Sequence, residues 1–420
     1  MDILAMAKAE QDNLTAWRRH LHAHPEPSGQ EEETVKFICS RLDEFGIAYV
    51  VVPKGGVIGF IGGDENSKTV MLRADMDALT IQESECNLAQ KKPVLSEVPG
   101  VAHLCGHDGH TAMLLGAAKI LQQMKEELPG RVLLFFERSE EAGGKILYML
   151  RYLYEHKIRV DGAFAMHVNP RMQTGKLSLD YGPITSGGYG FEVTVHGQGG
   201  HGSAPDKCNS PIDCFAAIYQ AVTSIPVKYI SAKEVCSFNF GKVQSGSKRN
   251  IIPDSLDFAG GFRFYRHDVG WQAKNTFLRL IDGVCKTYDC TYEVTNAVGP
   301  TLPVVNVDQC VEIGRRGIAK YLGDDVREEL GMESFSESFA SATAFYPTAF
   351  GMLGITNPAL GSGAELHNPA FDLDEAALPL GVAFHISYAL SFLENTDPIP
   401  FTPYAGSPDD LFRDICYHVD

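Results

Sequence analysis

Residues 69–79 read TVMLRADMDAL: a short run rich in apolar residues passes Arg73 and then turns acidic at Asp75 and Asp77. Such a run suits a buried strand, and its acidic end marks where the chain leaves the core. The pattern recurs. Residues 131–141, RVLLFFERSEE, finish in Glu140 and Glu141, and residues 161–168, DGAFAMHV, finish at His167 and Val168. Helix-like segments separate these strands, TAMLLGAAKILQQM at 111–124 and KILYMLRYLYEH at 145–156. Alternation of this kind predicts the α/β class, with a mixed, largely parallel sheet flanked by helices. Ligands in open sheets bind beyond the carboxyl ends of the strands. Asp75, Asp77, Glu140, Glu141 and His167 all fall there.

Residues 103–110, HLCGHDGH, crowd a thiol, three imidazoles and a carboxylate between a loop-like stretch, SEVPGVA, and the helix that follows. Cys105 and His107 are good ligands for a borderline transition metal, and the glycine between them lets both side chains turn toward one ion. Taken singly, each histidine reads more readily as part of a solvated polar helix start with Asp108 as N-cap; the density of donors turns the reading toward a site. His20, His22 and His24 precede a turn at Pro25 and Pro27 and read as structural. Asp75 stays open between a cap, a salt bridge to Arg73 and a functional role.

From about residue 184 the texture changes to alternating strands, FEVTVHG, VCSFNFGKVQSG, SLDFAGGFRFY and CTYEVTNA, interleaved with helix-like PIDCFAAIYQAV and WQAKNTFLRLIDGV. Strands of period two covered by helices on one face suggest an antiparallel α+β unit. The expected division is a discontinuous first domain, residues 1–183 and 298–420, with residues 184–297 inserted as a lid and dimerisation domain. Two domains also suit 420 residues, more than one core usually organises. Residues 304–322 and 372–395 read as long helices, and the tail after Asn395 reads as loop.

The composition, 44% hydrophobic and 21% charged, is that of an ordinary globular protein, and the formal net charge of −17 argues against nucleic acid as a partner. No membrane association is expected, since no apolar run appears long enough to span a bilayer. The start of the chain lacks a basic stretch followed by an apolar one. Ten cysteines at irregular spacing do not form the framework of a small secreted domain. A cytoplasmic protein with reduced thiols is expected.

Taken in order, RADMDAL, HLCGHDGHTAM, SEEAGG, AMHV, GQGGHGSAP, RNIIPD and ELHNPAFDLDE closely resemble the metal-dependent amidohydrolases. That family includes hippurate hydrolase, bacterial N-acyl-amino-acid amidohydrolases and plant auxin-conjugate hydrolases, relatives of aminoacylase and glutamate carboxypeptidase. The resemblance runs from about residue 14 to 394. It implies two divalent ions per chain, Mn²⁺ or Zn²⁺, with Co²⁺ or Ni²⁺ as alternatives, held by Cys105 as bridging ligand, His107, Glu141, His167 and His367. It implies Glu140 as general base, Asp77 as the group orienting a ligand, and His201 as the lid histidine offered to the oxyanion, often from a partner subunit. Asn250 and Arg263 match positions near the substrate carboxylate. A homodimer or larger homo-oligomer joined through the inserted domain is expected.

Three stretches depart from the family pattern: Arg138-Ser139 where Pro-Ala is usual, Ser336-Glu337-Ser338-Phe339 where Ser-Glu-Asp-Phe is usual, and Ala-His-Leu before Cys-Gly-His. None removes a proposed ligand or the base; they bear on substrate choice. The reading is a two-metal hydrolase that releases a carboxylic acid and an amine from an N-acyl or N-aroyl amino acid, or a related small amide. Its rivals are a dipeptidase or aminopeptidase on the same scaffold, which needs an acidic group for a free α-amine, and a non-catalytic metal- or ligand-binding protein, which has no need of Glu140.

Overall fold

Strands Thr69–Asp75, Arg131–Glu137, Gly162–Gln173 and Thr348–Thr356 form the middle of a seven-stranded sheet, and their three mutual pairings are all parallel. Antiparallel pairings extend it on both sides, through Gly56–Ile61 and Ala48–Val52 on one and Leu177–Ser178 on the other. The computed structural model describes residues 2–415. Thr69–Asp75 is buried throughout, as a strand covered on both faces must be. Helices His107–Gln123 and Leu378–Glu394 pack into the larger core; Ile146–Glu155 packs into a second core with Phe135, Phe339 and Phe350.

Register decides what meets at the sheet's carboxyl edge. Asp75 lies level with Glu137 in the parallel ladder, and Arg73 points to the same face two residues earlier. His167 lies level with Met352 on its other side. The Cys-Gly-His run arrives from the loop before the His107–Gln123 helix. Gly106 makes that turn with φ +87°, and a Cβ there would stand 2.5 Å from Val168 Cγ2, so glycine is required by both conformation and space.

A second, four-stranded antiparallel sheet is built from Gly187–His196, Cys236–Ser245, Ser255–Phe264 and Thr291–Val298, with helices Pro211–Thr223 and His267–Thr287 packed into its apolar core. The chain passes into and out of it through Gly182–Pro183 and Val305–Asn306, which pair antiparallel, before the first sheet resumes at Thr348.

Several sequence expectations need correction. The tail is not all loop: Pro408–Asp414 is a helix with a capping box between Ser407 and Asp410, satisfying free N–H groups at its start. The long helix expected within 304–322 covers only Asp308–Tyr321, because Val305–Asn306 is strand. Asp108 is not an N-cap, since the helix already begins at His107 with Gly106 as cap. Finally, residues Glu375–Glu394 are long and apolar enough to span a bilayer, contrary to expectation, but 89% of that stretch is buried inside the protein. Its apolar faces are occupied by the sheet and neighbouring helices.

Candidate metal and catalytic site

Cys105 stands at the centre of two donor groups. With His107 and His167 it forms one set of ligand atoms lying within 4.8 Å of one another, and with Glu141 and His367 it forms another. His107 and His167 have their remaining contacts arranged to leave one nitrogen facing this space. His167 Nδ1 donates to the Val168 carbonyl at 2.7 Å, leaving Nε2 3.5 Å from the Cys105 sulfur. His107 Nδ1 faces Asp77 Oδ1 at 3.2 Å, and its Nε2 is buried without a hydrogen-bond partner among the described residues. Metal-bound histidines typically have the second nitrogen held in this way.

The same pattern tests whether an ion fits. Glu141 Oε1 is also buried without a hydrogen-bond partner, and lies 3.8 Å from His107 Nε2 and 3.3 Å from His367 Nε2. Leaving His107 Nε2 and Glu141 Oε1 buried in one space without hydrogen-bond partners among the described residues is costly by itself. A divalent cation satisfies them together. Burial and the nearby Glu141 carboxylate push the Cys105 thiol well above its ordinary pKa; a bound cation reverses that logic by stabilising the thiolate. Burial disfavours charge on His107, but Asp75, Cys105 and Asp77 outweigh it and hold the ring well above the usual histidine range. His367 adopts φ +64°, an uncommon conformation for a non-glycine residue that tends to mark functional positions.

His110 shows how the pattern discriminates. Its Nε2 accepts the Val168 N–H at 2.9 Å, so Nδ1 carries the proton and donates to Asp75 Oδ1 at 2.6 Å. Both nitrogens are engaged, and His110 positions Asp75 instead of ligating. Asp108 likewise serves structure, accepting from buried Arg18 and meeting His22 Nδ1, each at 2.8 Å. His22 also reaches Glu83 at 3.2 Å, a structural role of the kind its sequence context suggests.

Asp77 does more than orient one ring. Its two oxygens accept the backbone N–H groups of Glu140 and Glu141 at 3.1 and 3.0 Å and the Ser28 hydroxyl at 2.5 Å. One carboxylate therefore fixes His107 and the acidic pair. Glu140 Oε1 accepts the Ser338 N–H at 2.9 Å. Burial, then the carboxylates of Glu337 and Glu141, raise the Glu140 pKa well above the ordinary value.

Beneath Glu140 lies a charge cluster that sequence reading reached only through the pairing of Arg73 with Asp75. Arg73 is buried and reaches Asp75 and Glu137 at 2.8 Å and Glu337 at 2.9 Å. It also donates to the Ser338 hydroxyl at 2.9 Å, which itself donates to Glu137 at 2.6 Å. Burial drives Glu137 up to about 7 despite the arginine. The signal available in sequence was the cation inside an apolar strand, since a buried charge needs partners. Of the departures from the family pattern, Ser338 lines the cleft beside Glu140, whereas Arg138 turns away to Glu31 and Glu32 at 2.7 and 2.8 Å. His103 is buried with neither ring nitrogen hydrogen-bonded among the described residues, and burial lowers it to about 4.

Glu140 and Glu141 border a cleft of about 490 Å³ between the two sheets, whose lining includes Arg263, Ser336 and Ser338. Burial lowers the Arg263 pKa, and its guanidinium donates to the Ser336 hydroxyl. His201 and Asn250 are not part of that lining. They sit together on the inserted unit, where His201 pairs with Ile251 and the Gly202 N–H reaches the Asn250 carbonyl at 2.9 Å. His201 is exposed, with Nδ1 2.7 Å from the Ser203 hydroxyl.

Comparison with known proteins agrees with this geometry. Residues 71–391 match the model of peptidase family M20/M25/M40. Thermostable carboxypeptidase 1 of Saccharolobus solfataricus is 34% identical over 405 residues, covering 93% of this chain and 99% of its own length. N-acetylcysteine deacetylase of Bacillus subtilis is 33% identical over 392 residues, 92% and 98% of the two chains. A relative named for a glutamate–cysteine ligase, from Rhodococcus jostii, is 33% identical over 89% of this chain, which spans only 46% of that protein's length. Among solved structures, a dinuclear metal-binding peptidase of this family from Bacillus subtilis superposes with TM-score 0.76 at 30% identity, over 92% and 99% of the chains. The chain therefore belongs to peptidase family M20/M25/M40, as a divalent-metal hydrolase of amide bonds.

Proposed function

We propose that the protein cleaves N-acyl or N-aroyl amino acids to a carboxylic acid and an amino acid. The observation that carries the reading is the sharing of Cys105 between two donor groups beside a cleft that also presents Glu140 and Arg263. Two divalent ions, Mn²⁺ or Zn²⁺ by the mixed thiolate, imidazole and carboxylate donor set, would be held by Cys105, His107, Glu141, His167 and His367. Bound there, such ions would supply Lewis-acid polarisation of an amide carbonyl and make water more acidic.

The remaining work falls to this chain's own groups. Glu140 takes a proton from the attacking water and delivers it to the leaving nitrogen, the work of a general base beside the cleft. Ser338 N–H and Asp77 keep Glu140 in place while the proton moves. Arg263 orients the substrate through its carboxylate. A cation in this wall favours a free carboxylate over the free α-amine that an aminopeptidase must hold.

His201 and Asn250 enter the reading through a second subunit. Support comes from their absence from the cleft of their own chain and from the edge strand Cys236–Ser245, whose Val243 is exposed and whose free backbone groups can pair with another chain. The described cysteines are all free, which fits a reducing, cytoplasmic setting.

Incubating the Mn²⁺- or Zn²⁺-loaded protein with N-acyl amino acids and dipeptides, and measuring released amine, tests the proposal. Turnover of the N-acyl series is expected, and Glu140→Gln should lower it by at least about 100-fold with metal content intact. Full activity after exhaustive chelation, or in metal-replete Glu140→Gln, overturns it.

A further inference from the structure

The cleft has a wall outside the residues matched to the family. After the Leu378–Glu394 helix the chain returns across the molecule and ends its described part in the Pro408–Asp414 helix. Specific ties hold this segment. The Tyr404 N–H donates to the Ala344 carbonyl at 2.7 Å, and Arg151 Nε donates to Asp409 Oδ2 at 2.9 Å, joining it to the Ile146–Glu155 helix. Ser407 and Asp410 close a capping box. Phe412 and Ile415 are thereby buried to 3% and 2% exposure, and both line the cleft that Glu140, Glu141 and Arg263 also line.

One cavity thus presents two chemistries. Carboxylates, a guanidinium and the Ser336 hydroxyl face it from some elements; Val298, Leu302, Phe412 and Ile415 face it from others. An N-acyl amino acid has the same division, a charged carboxylate on one side of the amide and a hydrocarbon acyl group on the other. Four apolar side chains are more than the hydrogen of a formyl group or the single methyl of an acetyl group can contact together. We infer that Phe412 and Ile415 are specificity determinants: the C-terminal helix forms the receiving surface for a bulky apolar acyl group, making aroyl and branched or longer-chain acyl amino acids the preferred substrates. The inference rests on the amide-hydrolase reading for its reaction, but not for the wall itself.

The test compares kcat/KM for the N-benzoyl and N-acetyl derivatives of one amino acid in the metal-loaded full chain. Single-methylene differences in apolar pockets are worth about 10–200-fold in such ratios. The wild type should favour benzoyl, and Phe412→Ala should lower the benzoyl-to-acetyl ratio by at least about 10-fold, with Phe412→Leu restoring much of it. Because Phe412 also packs in the core beside the Ile146–Glu155 helix, Ile415→Ala supplies an independent probe, with thermal melting to confirm that each variant folds. An unchanged ratio in the folded variants overturns the inference. If the wild type hydrolyses neither compound, the reaction reading fails separately. Calorimetric binding then decides the wall: tighter binding of the benzoyl than the acetyl compound, lost in Ile415→Ala, supports it, and equal binding in both proteins overturns it.

Discussion

Along the Thr69–Asp75 strand the first sheet buries Arg73 and Asp75, with Glu137 and Glu337 closed in around them; along Gly187–His196 the second sheet buries Tyr189, Phe191, Val193 and Val195. The inserted unit is held by rings: Phe191 and Phe277 centroids lie 4.1 Å apart, and Phe238 and Phe262 lie 4.6 Å apart. Between Gly187 and Val298, Thr276 is the buried polar residue among those described. The two sheets are built on the same rule of alternating faces but use their interiors differently. Burying ions costs desolvation that pairing only partly returns. A site that accepts this cost is organised for chemistry, while the ring-packed unit serves as a body that carries a loop and a cleft wall.

Substitutions that swap the roles of the two interiors should separate them. Arg73→Met leaves three buried carboxylates without their cation, and breaking a buried ion pair costs about 3–5 kcal/mol. The loss should grow as pH rises, since acidification protonates the orphaned groups, and turnover should fall because Ser338 and Glu140 lose their support. Phe277→Ala, a cavity in the second core, should cost a comparable 3 kcal/mol or so while metal content and turnover per folded molecule stay near wild type. Urea titration at pH 6.5 and 8 with metal analysis reads both. Metal loss in Phe277→Ala, or wild-type stability in Arg73→Met, would break the contrast.

How far this was legible in the sequence follows from the same physics. Strand ends are visible because apolar runs stop at charges, so Asp75, Asp77, Glu140, Glu141 and His167 could be placed from pattern alone. That Cys105 joins His367 could not, since 262 residues separate them and the resemblance supplied the link. The Arg73 cluster was half visible, because its partner Glu337 comes from a loop whose approach no periodicity reports. The division of labour among His103, His107 and His110 was hidden too, as it depends on which ring nitrogen meets a backbone group. In the tail, Ser407-Pro408-Asp409-Asp410 carried a helix start that composition masked.

If His201 serves the oxyanion as proposed, a variant at this exposed position should break activity without touching either core. Removing one oxyanion donor costs roughly 2.7–4 kcal/mol of barrier in hydrolases, and His201→Ala should reduce turnover about 100-fold with metal and stability intact. If His201 serves a neighbouring subunit, mixing His201→Ala with Glu140→Gln protein should restore part of the activity. No recovery despite subunit exchange confines it to its own chain.

The smallest expected effect sharpens the contrast within the first core itself. His385 lies in the Leu378–Glu394 helix at 1% exposure, its Nδ1 without a hydrogen-bond partner among the described residues, and burial, with nearby His110, lowers it to about 3. An unfolded chain binds that proton near pH 6.5, whereas the folded protein does not until far lower pH. Between those values the unfolded state carries more protons, so stability falls as pH falls. From pH 6.5 to 5 the loss attributable to this one ring is about 2 kcal/mol. His385→Phe keeps a ring in the helix and removes the titration, so its urea midpoint should drop less than that of the wild type over the same interval. Equal drops would mean that the ring gains a proton inside the fold and that this part of the core is more polar than its packing indicates.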